Sequence, residues 1–253
     1  MYLVQDVLEQ LPMLGGEPIE LDSLVLGYAT QDRIWRLRQA RLGGYKLGLT
    51  TFKAQAAMGV SAPIAGRLAD TDLINGPARL AVRESHLRII EAELVFELGA
   101  DLDGRARAVT PDDVFAATCA FRAGIEICDA RLFPDDDATL AQIVADNVYA
   151  DKLVIGEHLT VATLSDLNDI EVYLSGAEQP VVAGSTAQVL GNPAVAVAWL
   201  ANHLAAFDGH LPAGLVIASG SCTGMIEAPL GTTMRAEFAG QAAATVALMP
   251  KNS

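Results

Sequence analysis

The sequence predicts an α+β fold, and three observations favour this class. Helical signals are strongest in the first third of the chain, short β segments dominate the remainder, and no regular alternation of strand and helix runs through it. The chain has 253 residues, of which 51% are hydrophobic, so a sizeable core is available. We therefore expect a single domain over residues 1–253, with a mostly helical part at 1–80 and a β-rich core at 81–253.

The first third combines a capped helix with a short strand. The stretch "DSLVLGYATQDRIWRLRQARLGG" begins with Asp22 and Ser23 as candidate caps and ends at a glycine pair, which is typical of a helix. "GYKLGLT" then alternates, with Tyr45 and Leu47 on one face and Lys46 on the other. This alternation predicts a strand, and "ESHLRIIEAELVFELG" is predicted to be the next one.

The remaining elements are predicted from caps and alternation. "TPDDVFAATCAF" is predicted to be a helix, because Thr110 can cap it and Pro111 suits its first turn. "GIEICDARL" is strand-like, and "DIEVYLSGAEQPVVAGS" contains two β segments around a polar turn. A helix is predicted in "GNPAVAVAWLANHLAAFDG", from the Asn192 cap to Gly209. Further strands are predicted in "LVIASG" and "MRAEFAGQAAATVALM".

Composition excludes several classes of partner. The net charge is −14, from 17 basic and 31 acidic residues, which argues against nucleic acid and against an anionic membrane surface. The three cysteines form no CxxC pair, so neither a disulfide framework nor a thiolate zinc site is expected. The start "MYLVQDVLEQ" does not resemble a signal peptide, and no apolar run reaches the roughly 18 residues of a membrane span. We therefore expect a soluble, cytoplasmic protein.

Two glutamates lie two residues apart in the apolar stretch "RIIEAELVFELG". Because side chains alternate along a strand, Glu91 and Glu93 project from the same face. They are either part of a solvated face that Glu97 extends, or ligands of a divalent cation, since hard cations prefer carboxylate oxygens. A cation site needs a third ligand, and the candidate is Glu126 in "GIEICDARL", an acid between apolar neighbours. Cys128, two residues later, is interpreted as a packing residue.

The order of six motifs resembles that of the 2-keto-4-pentenoate hydratase family, within the fumarylacetoacetate hydrolase superfamily. These motifs are "GYKLGLT", "IIEAELVFELG", "GIEICDARL", "ADN", "GNPAVAVAWLANHL" and "ASGSCTGMIEAPLG", and the resemblance runs from about residue 20 to residue 248. It implies a β-rich, fumarylacetoacetate-hydrolase-like C-terminal core with a helical N-terminal part. It also implies that Glu91, Glu93 and Glu126 bind Mg²⁺ or Mn²⁺.

The resemblance further implies two catalytic residues. Lys46 corresponds to the active-site lysine of the family's "YK(L/I/V)GLT" motif, where it would stabilise an enolate or move a proton. Asp70 in "GRLADTD" matches a position where the family often carries an acid near the substrate.

Two other segments are expected to contact substrate. Asp146 and Asn147 match the start of the family's "ADNAS" stretch, but this chain continues with Val148 and Tyr149, so the role of the family's serine is not carried over. The turn "SGSCTG" offers hydroxyl and backbone N–H groups, and the resemblance places it at the substrate pocket. Its candidate substrate-binding residues are Ser219, Ser221 and Thr223.

The expected activity is hydration of a 2-oxo (2-hydroxydienoate) acid, in which the ion polarises the ketone and stabilises an enolate. The alternatives are a 4-oxalocrotonate-type decarboxylase, a hydratase-like enzyme repurposed for isomerisation, C–C hydrolysis or cyclisation, and a non-catalytic partner subunit. The expected partners are a small-molecule 2-oxo acid, further copies of the chain in a homo-oligomer, and a related decarboxylase or hydratase. Neither nucleic acid nor membrane is expected.

Overall fold

The fold was obtained as a computed structural model, and the structure describes residues 23–82, 89–132, 137–176 and 179–250. The α-helices in these ranges are α1 (Leu24–Arg38), α2 (Phe52–Ala57), α3 (Pro111–Ala117), α4 (Leu140–Ala145) and α5 (Pro193–Ala205). The strands are β1 (Leu42–Gly48), β2 (Ile64–Ala69), β3 (Leu73–Asn75), β4 (Ala78–Val82), β5 (Ile89–Leu98), β6 (Thr118–Cys128), β7 (Ala150–Leu159), β8 (Glu171–Gly176), β9 (Gln179–Ser185), β10 (Val216–Ser221), β11 (Ile226–Glu227), β12 (Thr233–Phe238) and β13 (Ala242–Pro250). The α+β prediction is confirmed.

The larger sheet has eight strands and is strongly curled. Its order is β2-β1-β10-β5-β6-β7-β3, with β11 also paired to β5. β1 runs parallel to β10, whereas β5, β6 and β7 are antiparallel neighbours. β2, at one end of this order, contacts β7 near the other end, so the sheet bends back towards itself. Small and branched side chains, including Leu68, Val95, Leu153 and Ala218, form a buried cluster between these strands.

The second sheet covers the other face of the larger one. It contains five strands in the order β4-β13-β12-β8-β9, and β13 packs against β6 and β7. The main hydrophobic core includes Phe96 of β5 and Phe238 of β12, both fully buried. Phe96 also meets Phe121 of β6 edge-on, with 5.1 Å between the ring centroids. The glutamates of β5 alternate with these core residues and therefore lie on the opposite, curled-in face.

Helix α1 begins as predicted but ends earlier than expected. The Ser23 hydroxyl accepts a hydrogen bond from the Leu26 N–H, and Gln39 ends the helix in a left-handed conformation with φ of 49°. The glycine pair expected to end the helix lies instead at the start of β1. A Cβ on Gly44 would lie 2.0 Å from the Val216 carbonyl oxygen, so glycine is needed there because β1 and β10 run very close together.

The described part of the first 80 residues is less helical than expected. Residues 23–82 hold two α-helices and four strands, and two of these strands, β1 and β2, form one end of the larger sheet. β2 and β4 lack a clear alternation of apolar and polar residues, which is why the sequence did not indicate them.

The predicted helix at residues 110–121 is also shorter than expected. It ends at Ala117, and β6 begins at Thr118 and continues for 11 residues. Among the helices of the described ranges, none is long and apolar enough to cross a membrane.

Candidate metal centre

Three glutamates meet on the curled-in face of the larger sheet. Glu91 and Glu93 lie on β5, and Glu126 of the neighbouring β6 is paired in register with Glu91. Glu93 is paired with Gly124, where a Cβ would lie 2.5 Å from Val95 Cγ2. Glu93 and Glu126 are fully buried and Glu91 is partly buried. The predicted set of ligands is therefore brought together by two adjacent strands.

Burial and mutual repulsion perturb these carboxyl groups. Burial, together with the neighbouring Glu126 and Glu91, raises the pKa of Glu93 well above its ordinary value. Burial also raises the pKa of Glu126, although the positive charge of Lys46 opposes the shift. A cation among these groups would favour their ionised forms, because it supplies the counter-charge that water cannot provide there.

Lys46 of β1 places a positively charged ammonium group beside the glutamates. Its side chain is only 3% exposed, and its Nζ lies 3.2 Å from Glu126 Oε1. The same Nζ donates a hydrogen bond of 2.9 Å to the Val148 carbonyl oxygen. Burial lowers the pKa of Lys46, but the negative charges of Glu126 and Glu91 help to raise it above its ordinary value. The lysine therefore remains an ammonium group beside the glutamates.

The donor set fits a hard divalent cation. Within the described part of the chain, Glu93 Oε1 and Glu126 Oε2 are buried and have no hydrogen-bond partner. The other oxygen of Glu93, Oε2, accepts a hydrogen bond of 2.8 Å from the Gly220 N–H. Buried carboxylate oxygens without donors are costly unless a cation binds them. Glu91, Glu93 and Glu126 are thus suited to hold Mg²⁺ or Mn²⁺, both of which prefer oxygen ligands.

Cys128 extends the centre beyond the predicted residues. Its Sγ lies 3.7 Å from Glu91 Oε2 and 3.8 Å from Lys46 Nζ, and the residue is buried. The sequence offers one sign of this placement: Cys128 lies two residues after Glu126, and residues two apart on a strand share a face.

The end of β10 and the turn after it lie beside Glu93, but their hydroxyl groups are engaged by main-chain groups. The Ser219 Oγ is buried and donates to the Leu94 carbonyl oxygen at 2.8 Å. The partly exposed Ser221 Oγ donates to the Gly224 carbonyl oxygen at 3.1 Å, and Thr223 Oγ1 accepts from the Ala92 N–H at 3.4 Å. Substrate binding by Ser219, Ser221 and Thr223 stays a prediction.

Asp146 and Asn147 are engaged by main-chain groups. Asp146 is buried and its Oδ2 accepts from the N–H groups of Arg131 and Leu132, at 2.7 and 2.9 Å. The Asn147 side chain accepts from the Arg67 N–H at 2.7 Å and donates to the Arg67 carbonyl oxygen at 2.8 Å. These contacts fix Asp146 to the segment after β6 and Asn147 to β2. The predicted substrate contacts of both residues stay predictions.

An unusual turn positions the carbonyl oxygen that accepts the hydrogen bond of Lys46. Asn147, Val148 and Tyr149 have φ values of 57°, 54° and 58°, so three consecutive non-glycine residues are left-handed. This conformation is uncommon and is a genuine outlier for a β-branched residue such as Val148. The carbonyl group that accepts from Lys46 belongs to that residue. Strained backbone of this kind is frequently found at functional sites.

Asp70 lies outside this group of contacts. It is exposed, and its Oδ1 accepts from the Thr71 N–H at 2.8 Å. The buried acid of that segment is Asp72, which binds Arg38 at 2.7 Å and Lys152 at 2.6 Å. A catalytic role for Asp70 stays a prediction that no described contact to the glutamates supports.

Comparisons with known proteins identify relatives of this chain. The 2-hydroxyhexa-2,4-dienoate hydratase of Comamonas testosteroni is 36% identical over 201 residues, which cover 78% of this chain and 75% of that protein. The 4-oxalocrotonate decarboxylase of Pseudomonas sp. (strain CF600) is 33% identical over 218 residues, covering 84% and 81%. Both proteins are therefore related to this chain along most of its length.

A solved structure matches the whole fold. The 4-oxalocrotonate decarboxylase from Pseudomonas putida G7, complexed with magnesium and adipate, superposes with a TM-score of 0.81 at 27% identity, covering 97% of this chain and 95% of that one. The family model described as "Fumarylacetoacetate (FAA) hydrolase C-terminal" matches residues 55–247. The chain therefore belongs to the fumarylacetoacetate hydrolase family, as the order of its motifs indicated.

Proposed function

We propose that this protein is a divalent-metal-dependent hydratase of 2-oxo acids that acts on 2-hydroxydienoates. The observation that carries the proposal is the grouping of the buried Glu93, Glu126 and Lys46 with the partly buried Glu91. Three carboxylates provide hard oxygen ligands for Mg²⁺ or Mn²⁺, and one ammonium group lies beside them. The substrate class follows from the relatives, which include a 2-hydroxyhexa-2,4-dienoate hydratase and a 2-oxo-hept-4-ene-1,7-dioate hydratase.

In this proposal the three glutamates hold the ion, and Lys46 stabilises the developing negative charge or transfers a proton. When bound, the ion supplies a Lewis acid that polarises the 2-oxo group of the substrate. Lys46 Nζ, fixed by the Val148 carbonyl group, donates a hydrogen bond or a proton to the oxygen on which negative charge develops. Because Nζ is shielded from water, this interaction is stronger than it would be in solution.

Gly220 positions one of the ligands. Its N–H binds Glu93 Oε2, so Oε1, which has no hydrogen-bond partner among the described residues, would be available to an ion. Gly220 has φ of 116°, and a Cβ there would lie 2.0 Å from Thr50 Oγ1, so only glycine fits. In the proposal, Ser221 and Thr223 of the same turn contact the substrate.

A 4-oxalocrotonate-type decarboxylase is the second candidate, and one observation favours it. Hydration needs a group that activates water, but Asp146 and Asn147 are both bound to main-chain groups. Decarboxylation needs no such group, since the polarised ketone accepts the electrons that are released as carbon dioxide leaves. The solved relative that matches 97% of this chain is also a decarboxylase.

Product analysis in ¹⁸O-labelled water separates the two. We would incubate the protein and Mg²⁺ with 2-hydroxypenta-2,4-dienoate and, separately, with a 2-hydroxymuconate-type dicarboxylic acid, and determine the product masses. Hydration adds one labelled water, whereas decarboxylation removes one carbon dioxide. Isomerisation leaves the mass unchanged. Glu97→Gln is the matched control for ligand variants, because Glu97 lies on the same strand face but pairs with Arg122 at 3.1 Å.

The proposal also includes a cytoplasmic homo-oligomer and association with a related decarboxylase or hydratase, as the family resemblance implies. Light scattering of the purified protein, alone and mixed with such a relative, tests the assembly.

A further inference from the structure

Cys128 brings a thiol into the centre. It is buried, and its Sγ lies 3.7 Å from Glu91 Oε2. The two other cysteines lie elsewhere: Cys119 is exposed, and Cys222 is buried with its Sγ 3.9 Å from the Gly220 carbonyl oxygen. The absence of a CxxC pair argued against a thiolate zinc site, but that rule addresses only cysteines that are close in sequence.

The geometry suits an ion with mixed sulfur and oxygen ligands. Three possible ligand atoms lie within 4.8 Å of one another: one carboxylate oxygen each of Glu91 and Glu126, and the Sγ of Cys128. A tetrahedral zinc ion, with bonds of about 2.3 Å to sulfur and about 2.1 Å to oxygen, separates the two ligand atoms by about 3.6 Å. The observed distance from Cys128 Sγ to Glu91 Oε2 is 3.7 Å.

A second observation points to a ligand at the same place. Glu126 is fully buried, and within the described ranges its Oε2 has no hydrogen-bond partner. Its Oε1 faces the Lys46 ammonium group at 3.2 Å. One carboxylate oxygen is therefore left for a cation, in the same set as the thiol.

We propose that Glu91, Glu126 and Cys128 form a site for a thiophilic divalent ion such as Zn²⁺ or Cd²⁺. Soft thiolate ligands select such ions, whereas Mg²⁺ and Mn²⁺ favour oxygen ligands alone. The Cys128 S–H bond breaks as the sulfur–metal bond forms, the proton passes to solvent, and nothing is oxidised or reduced. Two carboxylates are shared with the magnesium set, so the two kinds of ion compete for the centre.

Lys46 is the cation that opposes binding at this site. Its Nζ lies 3.8 Å from Cys128 Sγ and 3.2 Å from Glu126 Oε1. Replacing it by methionine removes this positive charge while keeping a long apolar side chain. We expect Lys46→Met to bind Zn²⁺ at least as tightly as the unmodified protein.

Cobalt spectroscopy tests the thiol ligand directly. Co²⁺ replaces Zn²⁺ in such sites, and a thiolate bound to Co²⁺ gives a charge-transfer absorption in the near ultraviolet. We would titrate the metal-free protein with Co²⁺ and expect this absorption in the unmodified protein, in Cys119→Ser and in Cys222→Ser. We expect it to be lost in Cys128→Ser. Calorimetry should show Zn²⁺ affinity falling roughly 10- to 100-fold in Cys128→Ser, with Mg²⁺ affinity little changed.

Several outcomes would overturn the proposal. Absorption that persists in Cys128→Ser, or its absence in the unmodified protein while calorimetry shows bound Co²⁺, would exclude Cys128 as a ligand. Cys222→Ser is the control for placing a hydroxyl group in a buried cysteine position. If near-ultraviolet circular dichroism shows that Cys128→Ser is unfolded, Cys128→Ala replaces it. The readout needs no turnover, so failure here leaves the proposed hydratase or decarboxylase activity standing, and the reverse also holds.

Discussion

Lys46 and Glu126 illustrate how the centre depends on single side chains. Both are buried, and their charged atoms are 3.2 Å apart. Removing one member of such a pair leaves the other charge uncompensated, so truncation to alanine would mix a loss of function with a loss of stability. Variants of similar size therefore test the roles of these two residues more cleanly.

Glu126→Gln should weaken divalent-ion binding by at least roughly 100-fold, since even partners outside the ligand shell contribute 10- to 100-fold. The amide retains the shape of the side chain but offers a single neutral oxygen. Calorimetric titration with Mn²⁺ measures the effect, and Glu97→Gln should bind normally. Unchanged affinity in Glu126→Gln would remove Glu126 from the ligand set.

Lys46→Met should lower Mg²⁺-dependent turnover by roughly 100- to 10,000-fold, the range typical of a lost acid–base group. Magnesium affinity should not fall, because no ligand oxygen is removed. Initial rates and calorimetry on the same preparation check both expectations. Normal turnover would assign Lys46 to packing beneath Val148.

At this scale the sequence identifies residue types but not their partners. The spacing of two in β5 predicted that Glu91 and Glu93 share a face, and the family resemblance added Glu126. The sequence could not show that Asn147 is already bound to the main chain of Arg67, or that Cys128 lies near Glu91, because both contacts join segments far apart in the chain.

At the scale of elements, helix α5 carries a histidine in an aromatic environment. His203 stacks on Trp199 with 4.8 Å between ring centroids, and it contacts Tyr28 of α1 at 5.0 Å and Phe207 at 5.4 Å. Burial lowers the pKa of His203 below its ordinary value. The unfolded chain therefore binds this proton more readily than the folded protein does.

This difference predicts a pH dependence of stability. Between the lowered pKa in the folded protein and the ordinary value of about 6.5, the unfolded state holds more protons, so stability falls as the pH decreases through this window. His203→Gln should lose less stability than the unmodified protein between pH 7 and pH 5. Urea unfolding at both pH values measures it, with exposed His158→Gln as the control. An equal loss in both proteins would contradict the argument.

Elements were predicted well where caps or alternation were clear. Asn192 and Pro193 begin α5 as predicted, and β5 follows its alternating pattern. β7 was not predicted, because the turn before it contains no glycine or proline. The left-handed conformation at Asn147, Val148 and Tyr149 is imposed by neighbouring strands, and local sequence preference does not indicate it.

The two sheets meet where β7 crosses β13. A Cβ on Gly156 would lie 2.2 Å from the Ala243 carbonyl oxygen and 2.6 Å from Ala244 Cα. The Gly156 carbonyl oxygen also accepts hydrogen bonds from the Arg122 guanidinium group at 2.9 and 2.7 Å. The close approach of the sheets therefore depends on a residue without a side chain.

Gly156→Ala should destabilise the whole molecule by about 1–3 kcal/mol, because one methyl group forces two backbones apart. Urea denaturation followed by circular dichroism measures the loss. Gly209→Ala is the control, since its nearest contact would be 3.2 Å from the Leu204 carbonyl oxygen and no sheet is involved. Equal effects of the two substitutions would contradict the crossing argument.

The turn at Asn147–Tyr149 keeps its shape only while the curled sheet stays closed. The centre therefore depends on that closure. Each non-glycine residue in a left-handed conformation costs roughly 1–2 kcal/mol locally. The contacts that hold the turn come from Arg67, 80 residues earlier, and from Lys46, 102 residues before Val148. If β1 and β2 loosen, the turn relaxes to an ordinary conformation and Lys46 loses its acceptor. Under gradually denaturing conditions, the protein should therefore become inactive while most of its strands are still paired.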